Sequence, residues 1–162
     1  MQSVAGSDAL WDFPPLSSDD YWYDLGHRRS AKDLKRYINA LSVSDVRMQS
    51  VLQIAGRRQL RSLLPKFIEL MLDDKNVIDV RYAAADAFSS VVAAKDASNS
   101  VIADAIEQLW CSGISELRVE ALIAQHVVAR PQALKWARTI LLKADADEQL
   151  AYQATYFLNG GE

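Results

Sequence analysis

A short segment of helical pattern occurs four times in the chain, and this repeat constrains the fold more than any other feature. The four copies are DVRMQSVLQIAG from Asp45, DVRYAAADAFSS from Asp79, ELRVEALIAQHV from Glu116 and QLAYQATYFLNG from Gln149. Each copy has an apolar residue at its second position: Val46, Val80, Leu117 and Leu150. These positions are 34, 37 and 33 residues apart, and such regular intervals indicate stacked units of secondary structure.

The residue types within each copy suit a helix that packs against a neighbour. An acidic residue begins the first three copies, where the exposed N–H groups of a helix favour negative charge. A small residue follows four positions after the apolar one and would let another helix approach closely: Ser50, Ala84, Ala121 and Ala154. The first three copies also carry an Arg after the apolar residue, at Arg47, Arg81 and Arg118. We expect these side chains to reach the acids or carbonyls of the adjacent unit.

The segments between the copies also have a helical pattern, which gives eight predicted helices from Ser30 onward. The first begins at a Ser cap, with Asp33 three residues later, and has apolar residues at helical spacing. In the second, Val46, Val51 and Ile54 are expected to point inward. Pro65 falls near the start of the third helix, where a missing N–H is tolerated. Since no segment alternates at period two for long enough to form a strand, the sequence predicts an all-α fold.

The stretch LLPKFIELMLDDKNVIDVRYAAADAF, residues 63–88, resembles a complete unit of the HEAT-repeat family. Leu63, Leu64 and Pro65 match the opening of its first helix, and Asp73 and Asp74 match the turn. The second helix is matched by Asp79, Val80, Arg81 and Ala84. The resemblance extends over roughly residues 30–159 and is weakest in the fourth copy, where Ala151 replaces the Arg. It implies a short right-handed α-solenoid of about four hairpins, although an ordinary irregular helical domain remains an alternative.

Residues 1–29 differ from the helical repeat domain predicted over 30–162, and they are interpreted as an N-terminal capping segment. They are rich in aromatic residues around a Pro-Pro pair that forces an extended stretch: Trp11, Phe13, Tyr21, Trp22 and Tyr23. Two interpretations stay open. These aromatic residues cover the end of the helical stack, or some of them form a binding surface.

The charge distribution argues against nucleic acid as the main partner. The net charge of −3 is made up of −3 in residues 1–29, +5 in residues 30–72 and −5 in residues 73–162. A nucleic-acid binder usually shows a dominant basic face. The main basic cluster here is Arg57, Arg58 and Arg61 with Lys66. It is interpreted as a solvated helix start or a salt-bridge surface between units, with phosphate binding as the alternative.

No catalytic, metal-binding or cofactor-binding signature stands out in the sequence. The single cysteine, Cys111, excludes an intramolecular disulfide and is interpreted as a core residue. His126 lies late in an apolar helix, where a structural role is expected. The first residues lack the pattern of a signal peptide, and no apolar run approaches the length of a membrane helix. We therefore expect a cytoplasmic protein that is neither an enzyme nor a cofactor carrier.

A partner-binding face is predicted on the second helix of each hairpin. It consists of the residues two, six and nine positions after the repeated apolar residue. In solenoids these helices line the concave surface where partners bind. The alternative is that half of this face packs against neighbouring helices. The positions include Met48 and Leu52 in the first copy, and Ser89, Val119 and Ile123 in the next two. The predicted partner-binding residues, which also take in the N-terminal segment, are Tyr82, Asp86, Glu120, His126, Tyr152, Tyr156, Asp19, Asp20, Tyr21 and Trp22.

The expected function is protein binding by a monomer that forms a 1:1 heterocomplex. Through the family resemblance, the chain is similar to small bacterial HEAT-like proteins, some of which are immunity proteins of contact-dependent growth inhibition systems. That resemblance implies a basic toxin domain, such as a nuclease, as the partner. A general protein–protein adaptor is the alternative within the same class, and a HEAT-like DNA-binding or repair protein is the alternative outside it.

Overall fold

The computed structural model describes residues 30–143 and 145–161, and all regular structure in this part of the chain is helical. Eight α-helices follow in order, and we number them α1 to α8. They are α1 Ala31–Ala40, α2 Met48–Arg57, α3 Leu64–Leu72, α4 Ile78–Val91, α5 Ser100–Trp110, α6 Ser115–Val128, α7 Arg130–Leu141 and α8 Glu148–Leu158. Short 3-10 turns occur at Arg61–Leu63 and Ala94–Ser98. The prediction of eight helices and no strand is confirmed for these residues.

The helix starts agree with the caps expected from the sequence. The Ser30 side chain accepts a hydrogen bond from the Asp33 N–H at the start of α1. Asn99 does the same at α5, and Asp147 does so at α8. Pro65 lies in the first turn of α3, where its missing N–H costs no intrahelical hydrogen bond. Each cap satisfies backbone groups that the first turn of a helix would otherwise leave unpaired.

Consecutive helices pack as four hairpins: α1 with α2, α3 with α4, α5 with α6, and α7 with α8. The second helices of the hairpins also pack against one another in chain order, α2 on α4, α4 on α6, and α6 on α8. Between the first helices, α3 packs on α5. The buried apolar side chains of the described residues form one continuous core between these helices.

Side chains close the α3–α4 hairpin at the end of α3. The Asn76 amide donates to the Leu70 carbonyl at 3.0 Å, and Arg81 Nε donates to the Met71 carbonyl at 3.1 Å. These are carbonyls of the last helical turn, which have no partner within the helix. The Arg of the second copy therefore reaches back to the first helix of its own hairpin.

The prediction that the Arg reaches the adjacent unit is also wrong for Arg118, and the ion pair seen for Arg47 is local. Arg47 pairs with Asp45, two residues earlier in the chain, at 2.6 Å. The Arg118 guanidinium lies over the ring of Trp110 in α5, 4.5 Å from its centre, and that ring stacks on Trp136 of α7 at 4.4 Å.

The repeat holds for three of its four copies. Val80, Leu117 and Leu150 are buried, as are the small residues Ala84, Ala121 and Ala154. The first copy departs from the pattern because α2 begins only at Met48. Val46 therefore lies before the helix and is 75% exposed, so the prediction that it points inward is wrong.

An ion pair between hairpins replaces the expected Arg contacts. Arg61, in the turn before α3, forms two hydrogen bonds with the carboxylate of Asp96, at 2.8 and 3.0 Å, and also donates to the Val91 carbonyl. Asp96 in turn accepts from the Ala93 N–H. The hydrogen bonds from Arg61 hold the pKa of Asp96 below its usual value. Arg61 of the basic cluster therefore forms a salt bridge, and this bridge joins the turn before α3 to the turn before α5.

Candidate functional site

The second helices α4, α6 and α8 place the predicted face residues in two clusters. The first, which we call the acidic cluster, consists of Tyr82, Asp86 and Ser89 on α4 with Glu116 and Glu120 on α6. The second, the aromatic cluster, consists of His126 on α6 with Tyr156 and Phe157 on α8. Glu120 and His126 are six residues apart on α6, or about 9 Å along the helix axis. One helix thus links both clusters.

The acidic cluster brings the carboxyl groups of Asp86, Glu116 and Glu120 together between α4 and α6. Burial raises the pKa of Asp86, while the charge of Arg57, at the end of α2, acts against that rise. The pKa of the Tyr82 phenol is raised by burial and by the charges of Glu120, Asp86 and Glu116. Since each of these groups disfavours another negative charge nearby, the cluster would accept a positive group more readily than an anion.

Glu120 is the most deeply buried member of the acidic cluster, with 4% of its surface exposed. Its Oε2 lies 2.5 Å from the hydroxyl of Ser89, which is also buried. Burial raises the pKa of Glu120 to about 7, the negative charge of Asp86 adds to that rise, and the hydrogen bond from Ser89 opposes it. The sequence identified Glu120 as a partner-binding residue, but in the structure it lies beneath the surface that Asp86 and Tyr82 reach.

The aromatic cluster is more open to solvent. The His126 ring stacks on Phe157 with the ring centres 4.0 Å apart, and the Tyr156 ring lies tilted beside Phe157 at 5.8 Å. Tyr156 is 44% exposed, and Tyr152, one turn earlier on the same helix, is 71% exposed. Two large aromatic side chains on one stripe of α8 therefore face solvent.

Other predicted face residues lie elsewhere. Met48 and Leu52 are completely buried in the core, and Val119 and Ser89 are buried too, so their placement on an outward face is wrong. The face prediction extended the repeat into the first hairpin, where the register of α2 differs. Asp19, Asp20, Tyr21 and Trp22, together with the predicted aromatic cap, lie outside the described residues.

Sequence reasoning missed two members of this site. Arg57 was assigned to a basic cluster, yet its charge acts on Asp86 across the α2–α4 contact. Phe157 was not singled out, although it supports the His126 ring. Neither contact can be recognised from a local sequence pattern, because each joins residues about 30 positions apart. Cys111 also differs from expectation, since it is exposed rather than part of the core.

A separate surface groove of about 580 Å³ lies between the starts of α3 and α5. Its walls are mainly apolar, and its residues are Arg61, Ser62, Leu64, Pro65, Ile68, Asn99, Val101 and Ile102. The Arg61 guanidinium at its edge is already engaged by Asp96. The described residues contain no group of three or more His, Cys, Asp or Glu side chains placed to hold a metal ion. No helix among them is long and apolar enough to cross a membrane.

Comparison of the chain with protein-family models, with curated proteins and with solved structures gave no match in any of the three.

Proposed function

We propose that this chain is a protein-binding module without enzymatic activity, and that α4, α6 and α8 present its binding surface. The observation that carries the proposal is the exposure of Tyr152 and Tyr156 on one stripe of α8, which packs on α6, the helix that carries Glu116 and Glu120. Tyrosine is enriched at protein interfaces because it offers a large, rigid contact area with a polar end. A rigid helical surface of this kind loses little conformational entropy on binding.

The architecture we propose for this module is a short right-handed α-solenoid of HEAT-like hairpins. Three consecutive hairpins keep the same buried apolar and small residues, and the second helices pack in chain order. Both features suit a stack in which each unit contacts only its neighbours. In such a stack α4, α6 and α8 would line the concave side.

The partner that best fits this surface is a basic protein domain. Residues 73–162, which contain α4 to α8, carry a net charge of −5. Negative charge on a binding surface speeds association with a positively charged partner and disfavours acidic ones. Together with the resemblance to HEAT-like immunity proteins, this charge favours a basic, nuclease-type toxin domain. A general adaptor for other basic proteins is the alternative within the same class.

The nucleic-acid alternative receives less support. Of the basic cluster that could contact phosphates, Arg61 is held by Asp96 and Arg57 faces the acidic cluster. The exposed tyrosines lie on α8, in the acidic part of the chain.

The test needs a specific partner. We choose the protein encoded by a toxin-like reading frame immediately upstream of the gene. We expect a 1:1 complex in co-expression and calorimetry. Asp86→Lys, Tyr152→Ala and Tyr156→Ala should each weaken the complex tenfold or more, which corresponds to about 1.4 kcal/mol. The matched control is Val101→Ala, a truncation of an exposed residue on α5 in the other layer of helices, which should bind as the wild type does.

Two results would overturn the proposal. Equal affinity of all three face variants and the wild type would rule out this surface. Retention on a double-stranded DNA oligonucleotide that falls with rising salt, without binding of the toxin-like protein, would support the nucleic-acid alternative instead.

A further inference from the structure

The contact between Glu120 and Ser89 joins two neighbouring hairpins through buried polar groups. Glu120 belongs to α6 and Ser89 to α4, and 4% and 6% of their surfaces are exposed. The two oxygens are 2.5 Å apart. Within the described residues, no Lys, Arg or His forms an ion pair with Glu120. A buried carboxylate without a cation is costly, whereas a buried carboxylic acid can serve as a hydrogen-bond donor.

The number of protons available at this contact favours the acid form. The Ser89 hydroxyl has one proton, but its oxygen lies within hydrogen-bonding distance of two acceptors, Glu120 Oε2 and the Asp86 carbonyl at 3.1 Å. If Glu120 is ionised, Ser89 can donate to only one of them at a time. If Glu120 is protonated, it donates to Ser89 Oγ, and Ser89 donates to the Asp86 carbonyl. Only the protonated state makes both hydrogen bonds together.

We propose that Glu120 is held as a neutral acid and forms, with Ser89, a proton-controlled latch between α4 and α6. Loss of the proton removes one of the two hydrogen bonds and leaves a buried negative charge beside Asp86. The contact between the second and third hairpins is therefore tight at low pH and weaker at high pH. This inference concerns the fold alone and does not depend on what the surface binds.

The groups around Glu120 support this assignment. From α4, Asp86 and Tyr82 face it, and on α6 itself Glu116 acts on the same Tyr82. Arg57 of α2 acts on Asp86. The other elements packed against α6 are α5, α7, α8 and the 3-10 turn Ala94–Ser98, and they contribute no charged group that acts on the pKa of Glu120. Burial and Asp86 therefore raise that pKa to about 7, from an ordinary value of 4.5.

The sign of the pH dependence follows from these two values. Between about pH 4.5 and pH 7 the folded chain holds a proton on Glu120 that the unfolded chain has lost. Stability from the latch is fully present below this window and is lost as the pH rises through it. Glu120→Gln mimics the neutral acid, because its amide can donate to Ser89 at every pH.

The first experiment is a carbon-13 NMR titration of the glutamate side-chain carboxyls of the wild-type protein, with Glu120→Gln used to assign the signal. We expect the Glu120 signal to titrate more than one pH unit above the ordinary glutamate value of 4.5. Titration at that ordinary value would overturn the proposal. Glu120→Asp is a second variant for the assignment, so the measurement needs only one of the two variants to fold.

The second experiment compares urea unfolding of the wild type and Glu120→Gln from pH 4.5 to pH 8. The unfolding constant of the wild type, divided by that of the variant, should rise by up to tenfold per pH unit and level off above about pH 7. Glu69→Gln, at an exposed site on α3, is the matched control and should keep the pH dependence of the wild type. A ratio for Glu120→Gln that does not change with pH would refute the latch.

Discussion

Gly56 of α2 lies directly against the backbone of Ala87 of α4. A Cβ atom added to Gly56 would lie 2.7 Å from Ala87 Cα and 3.0 Å from Ala87 Cβ. Such distances are shorter than van der Waals contact, so the two helices approach as closely as a glycine allows. This contact leaves no room for a side chain at Gly56, although most other residues favour a helix more than glycine does.

We expect Gly56→Ala to destabilise the protein by roughly 1–3 kcal/mol, the usual cost of overpacking. The higher helix propensity of Ala, about 1 kcal/mol, would offset only part of this loss. Chemical denaturation monitored by circular dichroism measures the change. Gln53→Ala, on the same helix, is the control and should have little effect.

The double variant Gly56→Ala/Ala87→Gly sharpens this test. Because the nearest atom to the added methyl group is the backbone Cα of residue 87, removing the Ala87 side chain should not restore stability. Full recovery in the double variant would mean that the two helices meet through side chains and are not in backbone contact.

The ion pair between Arg61 and Asp96 gives a prediction that depends on pH. Only 8% of the Asp96 side chain is exposed, so Asp96→Asn would weaken charged hydrogen bonds in a partly buried site. We expect a loss of roughly 1–3 kcal/mol at neutral pH. Urea unfolding measures it, with Asp104→Asn on the exposed side of α5 as the control.

The direction of the pH effect is set by the lowered pKa of Asp96. The pair contributes stability above the ordinary pKa of about 3.8, and that contribution is lost as the pH falls through the lower pKa of the folded state. The difference between the wild type and Asp96→Asn should therefore shrink in acid. A difference that stays constant down to pH 2.5 would contradict the pairing.

The stacked pair of Trp110 and Trp136 links the third and fourth hairpins through their first helices. Their rings are 4.4 Å apart and almost parallel, at 7°. A double-mutant cycle with Trp110→Leu and Trp136→Leu, which removes each aromatic ring, should give a coupling energy of about 0.5–1.5 kcal/mol. Each single variant should also remove the same near-ultraviolet circular dichroism signal. Additive stability changes, with separate spectral effects, would show that the rings do not interact.

The eight helices could be predicted from the sequence because they depend on local signals. Ser30, Pro65 and Asp147 each act within one turn of their own position. The hairpin arrangement followed from the spacing of the copies. These features depend only on the apolar pattern and the capping residues, and both can be read from the sequence.

The contacts between hairpins could not be predicted in the same way. Arg61 and Asp96 are 35 residues apart, and Ser89 and Glu120 are 31 residues apart. Sequence alone does not say which of several acids an Arg will meet, or which carboxyl will be buried. The Arg of each repeat was expected to reach the next hairpin, but Arg81 is already within reach of the carbonyls at the end of α3.

The register of the first copy is the clearest failure of the repeat pattern, and it gives a direct test. Val46 and Val80 occupy the same position in the alignment, but Val46 is 75% exposed and Val80 is 4% exposed.

The same substitution, Val→Ala, removes the same two methyl groups at both positions. At about 0.8 kcal/mol for each buried carbon, Val80→Ala should cost roughly 1.6 kcal/mol. Val46→Ala should change the free energy of unfolding by no more than about 0.5 kcal/mol, as is usual for exposed sites. Thermal and urea unfolding measure the loss of stability in the two variants. Equal losses would mean that α2 begins earlier and keeps the register of the other three copies.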